Sequence, residues 1–256
     1  MSSKSLVVLA ALVFVALGTG VALAEEGSSV EFEVTADFFS KYIWRGQNLN
    51  EDYAFQPGIS ASYAGFTGGV WGSLDMTDYG DNEGEFTEVD YYVDYSGSVP
   101  GVEGVEFAVG VVNYHFPSIY GDTTEIYWGL GFDLPLSPSV SVYHDVDQAD
   151  GTYVSFGIGQ DFGTIVELAE GMPVGMDFSA SLGLADGDYN EFYWGTKDAG
   201  LNDLALSVSF PFEVFGWSVS PSLNYVTLVD GALRSSDSFV QSSDYFYTGI
   251  GLSTSF

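Results

Sequence analysis

The 256-residue chain contains no cysteine, so it has no disulfide framework, no thiolate nucleophile and no thiolate metal ligand. Basic residues are scarce: five Lys and Arg stand against 36 Asp and Glu, giving a formal net charge of −31. Such a field repels phosphate backbones and excludes nucleic-acid binding. It attracts cations, and it suits either a cation-handling protein or a saline habitat. Beyond residue 24, no continuous apolar run approaches the ~20 residues of a membrane-spanning helix. Histidine occurs twice, at 115 and 144, which limits acid–base and metal chemistry from the outset.

The N-terminus and the composition supply the positive signals. Lys4 precedes an apolar run from Leu6 to about Leu17, followed by Ala22-Leu23-Ala24. A basic start, a short apolar stretch and an A-x-A site predict an export signal over residues 1–24, cleaved after Ala24. A membrane anchor fits less well, because the run is too short to span. Residues 25–256 then form a single domain. They hold 19 of the chain's 20 Phe, all 17 Tyr and most of the 32 Gly, a profile of exported all-β proteins.

Almost every segment alternates with period two. "VEFEVTADF" sets Val30, Phe32, Val34, Ala36 and Phe38 against Glu31, Glu33, Thr35 and Asp37; "EVDYYVDYS" sets Val89, Tyr91, Val93 and Tyr95 against Glu88, Asp90, Tyr92 and Asp94. About twelve such strands follow one another. Short connections alternate with longer, acidic ones, and "GTIVELAEG" (163–171) reads as a short helix within one connection. A soluble sandwich also alternates, with its apolar face inward. A membrane barrel inverts that arrangement, apolar to lipid and polar to the lumen. The even strand count, the ~9–11-residue strand length of tilted spans and the aromatics near strand ends favour the barrel. The predicted fold is an all-β, transmembrane, antiparallel up-and-down barrel.

Residues 40–73, "SKYIWRGQNLNEDYAFQPGISASYAGFTGGVWGS", resemble the N-terminal part of the TorF-family porins, bacterial outer-membrane proteins of poorly defined role. Ser40, Tyr42, Trp44, Arg45, Gly46, Gln56, Trp71 and Gly72 carry the resemblance, with "GVVNYHFP" (110–117) as a second shared segment. Lys41 stands where the family pattern has an acidic residue, and "QNLN" lacks the hydroxyl that follows Arg-Gly. The resemblance implies an outer-membrane barrel and a pore, without a known substrate.

Parity predicts an acidic lumen of Glu33, Asp37, Asp75, Glu88, Asp90, Asp94 and Glu106, a carboxylate ring that favours cations. Lys41 and Arg45 fall on the same face as Glu33 and Asp37 if the first strand continues through them. They are either a charged constriction or a salt-bridge and loop-closing contact. Tyr92, Tyr114, Tyr127 and Trp71 point inward by the same parity and narrow the channel; at twelve strands an open pore is not guaranteed.

Other motifs are weaker. His115 near Ser118, and His144 beside Asp145, lack a full catalytic arrangement, so no enzyme is predicted. "DVDQADG" (145–151) fails the EF-hand spacing, and neither it nor "DYGDNEGE" (78–85) rises above solvated loop charge. No cofactor or metal site is predicted.

The final strand, "TGIGLSTSF", is expected to close the barrel against the first, with Ile250, Leu252 and Phe256 toward lipid and forming a recognition feature for the barrel-assembly machinery. The expected function is passive diffusion of small hydrophilic solutes, with cations preferred. The expected surroundings are outer-membrane lipid and lipopolysaccharide. A closed structural or surface-binding barrel is the alternative, marked by bulky inward aromatics and a folded-in loop.

Overall fold

The computed structural model describes residues 29–78, 81–117, 121–236 and 242–256. The predicted export signal, Ser118 and two residues of the 78–85 acidic loop lie outside these. In chain order the elements are β1 (Glu31–Phe39), β2 (Tyr42–Trp44), β3 (Gln47–Asn50), β4 (Ala54–Tyr63), β5 (Phe66–Asp75), β6 (Phe86–Ser98), β7 (Val105–His115) and β8 (Thr123–Phe132). Then come β9 (Ser139–Asp145), β10 (Thr152–Ala169), β11 (Met172–Ala185), α1 (Gly187–Trp194), β12 (Gly200–Ser209), β13 (Phe212–Val214), β14 (Trp217–Leu228), α2 (Gly231–Arg234) and β15 (Asp244–Ser255).

Twelve of these strands close into one antiparallel barrel. Each pairs with its sequence neighbour from β4 through β12 and on to β14 and β15. β1 bridges the ends, pairing with β15 from Glu33↔Ser255 to Phe39↔Gly249 and with β4 on its other side. Closure leaves no unpaired edge, the condition for a sheet in hydrocarbon. Phe32 and Phe256 finish the seam with reciprocal backbone bonds of 2.9 and 3.0 Å.

Burial separates barrel from sandwich. On β6, Tyr91 and Val93 face outward at 51% and 48% exposure, while Asp90 and Asp94 face inward at 1% and 4%. An apolar exterior over a polar interior is the membrane-barrel arrangement. Short turns, the start of β1 and the end of β15 gather at one rim, the terminus end; the longer connections leave from the other, the loop end. The β4–β5 turn shows why the short side is tight: Ala64 and Gly65, at φ 53° and 87°, form a two-residue link whose twist matches the flanking strands.

Three segments depart from the sequence reading. "GTIVELAEG" is not helical. β10 and β11 run on as one long hairpin, paired out to Ala169↔Met172 around Glu170-Gly171, with register irregularities beyond Asp161. Its β-branched Ile165 and Val166 and the partner strand decide the conformation over local propensity. Lys41 and Arg45 are not on β1, which stops at Phe39. Instead, residues 42–50 form a separate hairpin, β2–β3, between β1 and β4. Among the described residues, helices appear only in the loop-end connections, as α1 and α2.

Candidate functional site

The β2–β3 hairpin folds into the barrel. Its turn is Arg45-Gly46, at φ 47° and 79°, the same two-residue chemistry as the outer turns. A Cβ at Gly46 would collide with Leu228, so glycine is required for space as well as for φ. Arg45, Gln47 and Asn50 are almost fully buried, and Ile43, Trp44 and Asn48 nearly so.

Arg45 sits at the centre of the loop-end lumen. Its Nη1 and Nη2 donate to Glu125 Oε1 and Oε2 at 2.7 and 2.8 Å. The guanidinium carbon lies 4.4 Å from the Trp44 ring, 4.5 Å from Tyr143 and 4.4 Å from Tyr153. Both the fork-to-carboxylate bonding and the ring stacking are specific to arginine's planar head. Glu125 Oε2 also accepts from Tyr114 Oη at 2.9 Å, and Asp203 accepts from Tyr153 Oη at 2.8 Å.

The rings form a collar. Tyr127, Tyr143 and Tyr153 are direct cross-strand partners on β8, β9 and β10, so they stand at one height. Tyr189 and Tyr193 of α1 continue the collar, and Trp44 links it back to Tyr114 with centroids 5.8 Å apart. α1 is seated by Asp186, whose Oδ1 accepts from Tyr189 N at 2.9 Å, and ends at Gly195 with φ 70°. Desolvation works to raise the Asp186 pKa, but hydrogen bonds from Tyr189 and Thr152 outweigh it and hold it below 3.8. The loop-end half of the lumen is therefore packed like a small soluble core.

Further ties hold the hairpin. Asn50 Nδ2 donates to Asp75 Oδ1 at 2.8 Å, and Lys41 and Asn48 both engage Glu51. The residues that carry the family resemblance belong to this assembly or its receptacle. Tyr42 packs on Trp71 with centroids 5.8 Å apart, and Gln56 reaches Ser73. A Cβ at Gly72 would meet the Phe86 ring, and Ser40 caps the end of β1 against Thr248.

The other predicted lumen residues divide by height. Glu33 and Asp37 line a cavity of about 290 Å³ between the hairpin and the terminus end, together with Lys41 and Asp90. Asp75, Glu88 and Asp94 are buried, with Asp94 accepting from Tyr127 Oη at 3.3 Å. Glu106 is half-buried near the terminus end of β7. Of the closing-strand residues, Ile250 and Phe256 face outward and Leu252 is half-buried. The sequence reading did not single out Glu125, Tyr143, Tyr153 or Tyr189. Glu125 shares parity with inward Tyr127, which was a usable signal; nothing in the sequence pairs either with Arg45.

The weaker motifs resolve into local structure. His115 Nδ1 is 2.7 Å from Asp122 Oδ1, and His144 Nδ1 is 3.1 Å from Thr152 Oγ1. Asp145 organises its own loop, accepting from the backbone of Asp147 and Gln148 and from Thr123 Oγ1. Among the described residues no group of three or more His, Asp or Glu is placed to hold a metal.

The fold is shared with known barrels. The NanC porin, in a rhombohedral crystal form, matches at TM-score 0.50 and 12% identity, over 87% of this chain and 98% of that one. The KdgM porin in complex with disordered oligogalacturonate matches at 0.49 and 11% identity, over 88% and 99%. LpxR from Salmonella typhimurium matches at 0.47 and 11% identity, over 88% and 99%. At these identities only the barrel fold carries over, and only from the first. No curated protein matches the chain. A family model does, over residues 23–210, a range that holds the hairpin and its partners Glu125, Tyr143, Tyr153 and Tyr189, and the chain belongs to that family: Gcw_chp, bacterial proteins of unknown function.

Proposed function

We propose that the protein is a bacterial outer-membrane channel of porin type that rests closed and prefers cations once open. In this reading the terminus end faces the periplasm and the long connections face outward. One observation carries the closed state: the inner hairpin crosses the loop-end lumen and is locked there by the Arg45–Glu125 pair. The inward carboxylates Glu33, Asp37 and Asp90 support cation preference, because fixed negative charge in a narrow path concentrates cations and repels anions. The TorF-family porin resemblance of residues 40–73 fits the same reading, as does an N-terminal export signal. Lipid and lipopolysaccharide would surround the outer face, and Ile250, Leu252 and Phe256 would be presented to the assembly machinery.

The same packed hairpin favours a second reading, a permanently closed structural barrel. Planar-bilayer recording separates the two. Under the channel reading, the unaltered protein is mostly silent. Arg45→Ala, or replacement of residues 42–50 by a short Gly-Ser link, gives discrete steps with a cation-selective reversal potential. Steady conductance in the unaltered protein overturns the closed state. Silence in both variants overturns the channel, and anion preference overturns the selectivity.

A further inference from the structure

The cavity of about 290 Å³ beneath the hairpin has its own chemistry. It far exceeds the ~10–15 Å³ that admits one water. It sits at the lower edge of the ~300–1,000 Å³ typical of small-molecule sites. Glu33, Asp37 and Asp90 contribute carboxylates to its wall, and Ser220 and Ser222 of β14 contribute hydroxyls. Lys41 also lines it, but its ammonium is engaged by Glu51.

Asp90 distinguishes this cavity from a solvated acidic surface. It is 1% exposed, and its Oδ1 has no hydrogen-bond partner among the described residues. A buried carboxylate oxygen without a donor is costly, and the cost falls when a cationic donor enters beside it. Two more carboxylates on the same wall reinforce the preference for positive charge. The serine hydroxyls both donate and accept, so they match a ligand that carries hydroxyls of its own.

We propose that this cavity is a binding site for a small hydroxylated ammonium compound, of the amino-sugar class. Its ammonium is held at Asp90 and its hydroxyls at Ser220 and Ser222. Entry is from the terminus end, since the hairpin and collar fill the other. The site requires the cavity alone and not conduction.

Isothermal titration of the full chain in detergent, at neutral pH, tests it with glucosamine as probe. Glucosamine binds saturably. N-acetylglucosamine, which keeps the hydroxyls and loses the charge, binds about tenfold more weakly or not at all, the loss expected for one charge-assisted hydrogen bond. Asp90→Asn and Asp37→Asn weaken glucosamine by a similar factor, and the N-acetyl comparison makes the same test on unaltered protein. The proposal is overturned by absence of saturable glucosamine binding, by equal binding of the two sugars, or by unchanged affinity in Asp90→Asn. Displacement of glucosamine by equimolar potassium also overturns it, since the site would then be one for inorganic cations. Silent hairpin variants in bilayers would leave this result standing, and a failed titration would leave the recordings standing.

Discussion

Arg45 and Glu125 are joined by two parallel hydrogen bonds of 2.7 and 2.8 Å, 80 residues apart in sequence and both almost fully buried. The pair ties an inner hairpin to the barrel wall. Under the proposed channel reading, it is the contact that keeps the barrel closed.

Removing one member leaves the other charged, buried and unpaired. Arg45→Met or Glu125→Leu alone should lower stability by about 3–5 kcal/mol, the usual cost of breaking a buried pair. The double variant Arg45→Met, Glu125→Leu should lose less than the sum of the single losses. Thermal unfolding in detergent, arranged as a double-mutant cycle, measures this. Additive losses would mean that the pair does not act as a unit.

Gly110 of β7 lies under the Tyr127 ring. A Cβ there would stand 2.6 Å from the end of that ring and 2.7 Å from Asp94 Cβ. The ring tip can swing away; Asp94 Cβ, next to the backbone, cannot. Gly110→Ala should therefore break the Tyr127–Asp94 bond and cost about 1–3 kcal/mol, as overpacking does. A melting temperature equal to that of the unaltered protein would show that the collar has slack.

Phe256 contributes two separable things to the seam: backbone bonds to Phe32, and a ring stacked on the Phe32 ring at 6.0 Å. Phe256→Ala keeps the first and removes the second. If the ring is what the assembly machinery reads, this substitution should lower membrane insertion nearly as much as deletion of the residue. Quantifying folded protein in outer-membrane fractions checks it. Insertion lost only on deletion would assign the effect to the ladder.

Asp186 seats α1, and so the Tyr189 and Tyr193 part of the collar. Asp186→Ala should weaken the helix by about 0.5–2 kcal/mol, the value of a cap. Because its folded pKa is depressed, its contribution is complete above 3.8 and fades as pH falls through the lower, folded value. Hydrogen exchange over residues 187–194 should show reduced protection in the variant at neutral pH. The difference from the unaltered protein should shrink in strong acid. An undiminished difference there would remove Asp186 ionisation as the cause.

Much of the barrel is legible in one dimension. All twelve barrel strands follow from alternation, because a strand with lipid on one side and lumen on the other must change character at every residue. The pairing of β15 with β1 follows from the need to leave no edge. The "GTIVELAEG" segment misleads because its apolar residues are compatible with either period, and the β11 partner that selects the strand is not visible locally. Glu88, Asp90 and Asp94 are on the inner face for the same reason that Tyr91 and Val93 are outside. Parity carries no height, however, so it could not separate the carboxylates in the cavity from those packed nearer the plug.

The plug is a different matter. Its turn chemistry at Arg45-Gly46 is written locally, but a hairpin between β1 and β4 could equally project into solvent. Its inward course depends on what waits inside: Glu125, the tyrosines of three adjacent strands, and α1 with its two further rings. Those groups meet only when the sheet closes, since a closed cylinder brings to one axis side chains that are far apart along the chain. Alternation along the sequence thus determined the strands, and with their number, length and end aromatics it favoured a membrane-type barrel; the outward burial of Tyr91 and Val93 against inward Asp90 and Asp94 decided it over a sandwich. Contact across the lumen decided that the barrel is stoppered, because burying an arginine requires partners from several strands at once.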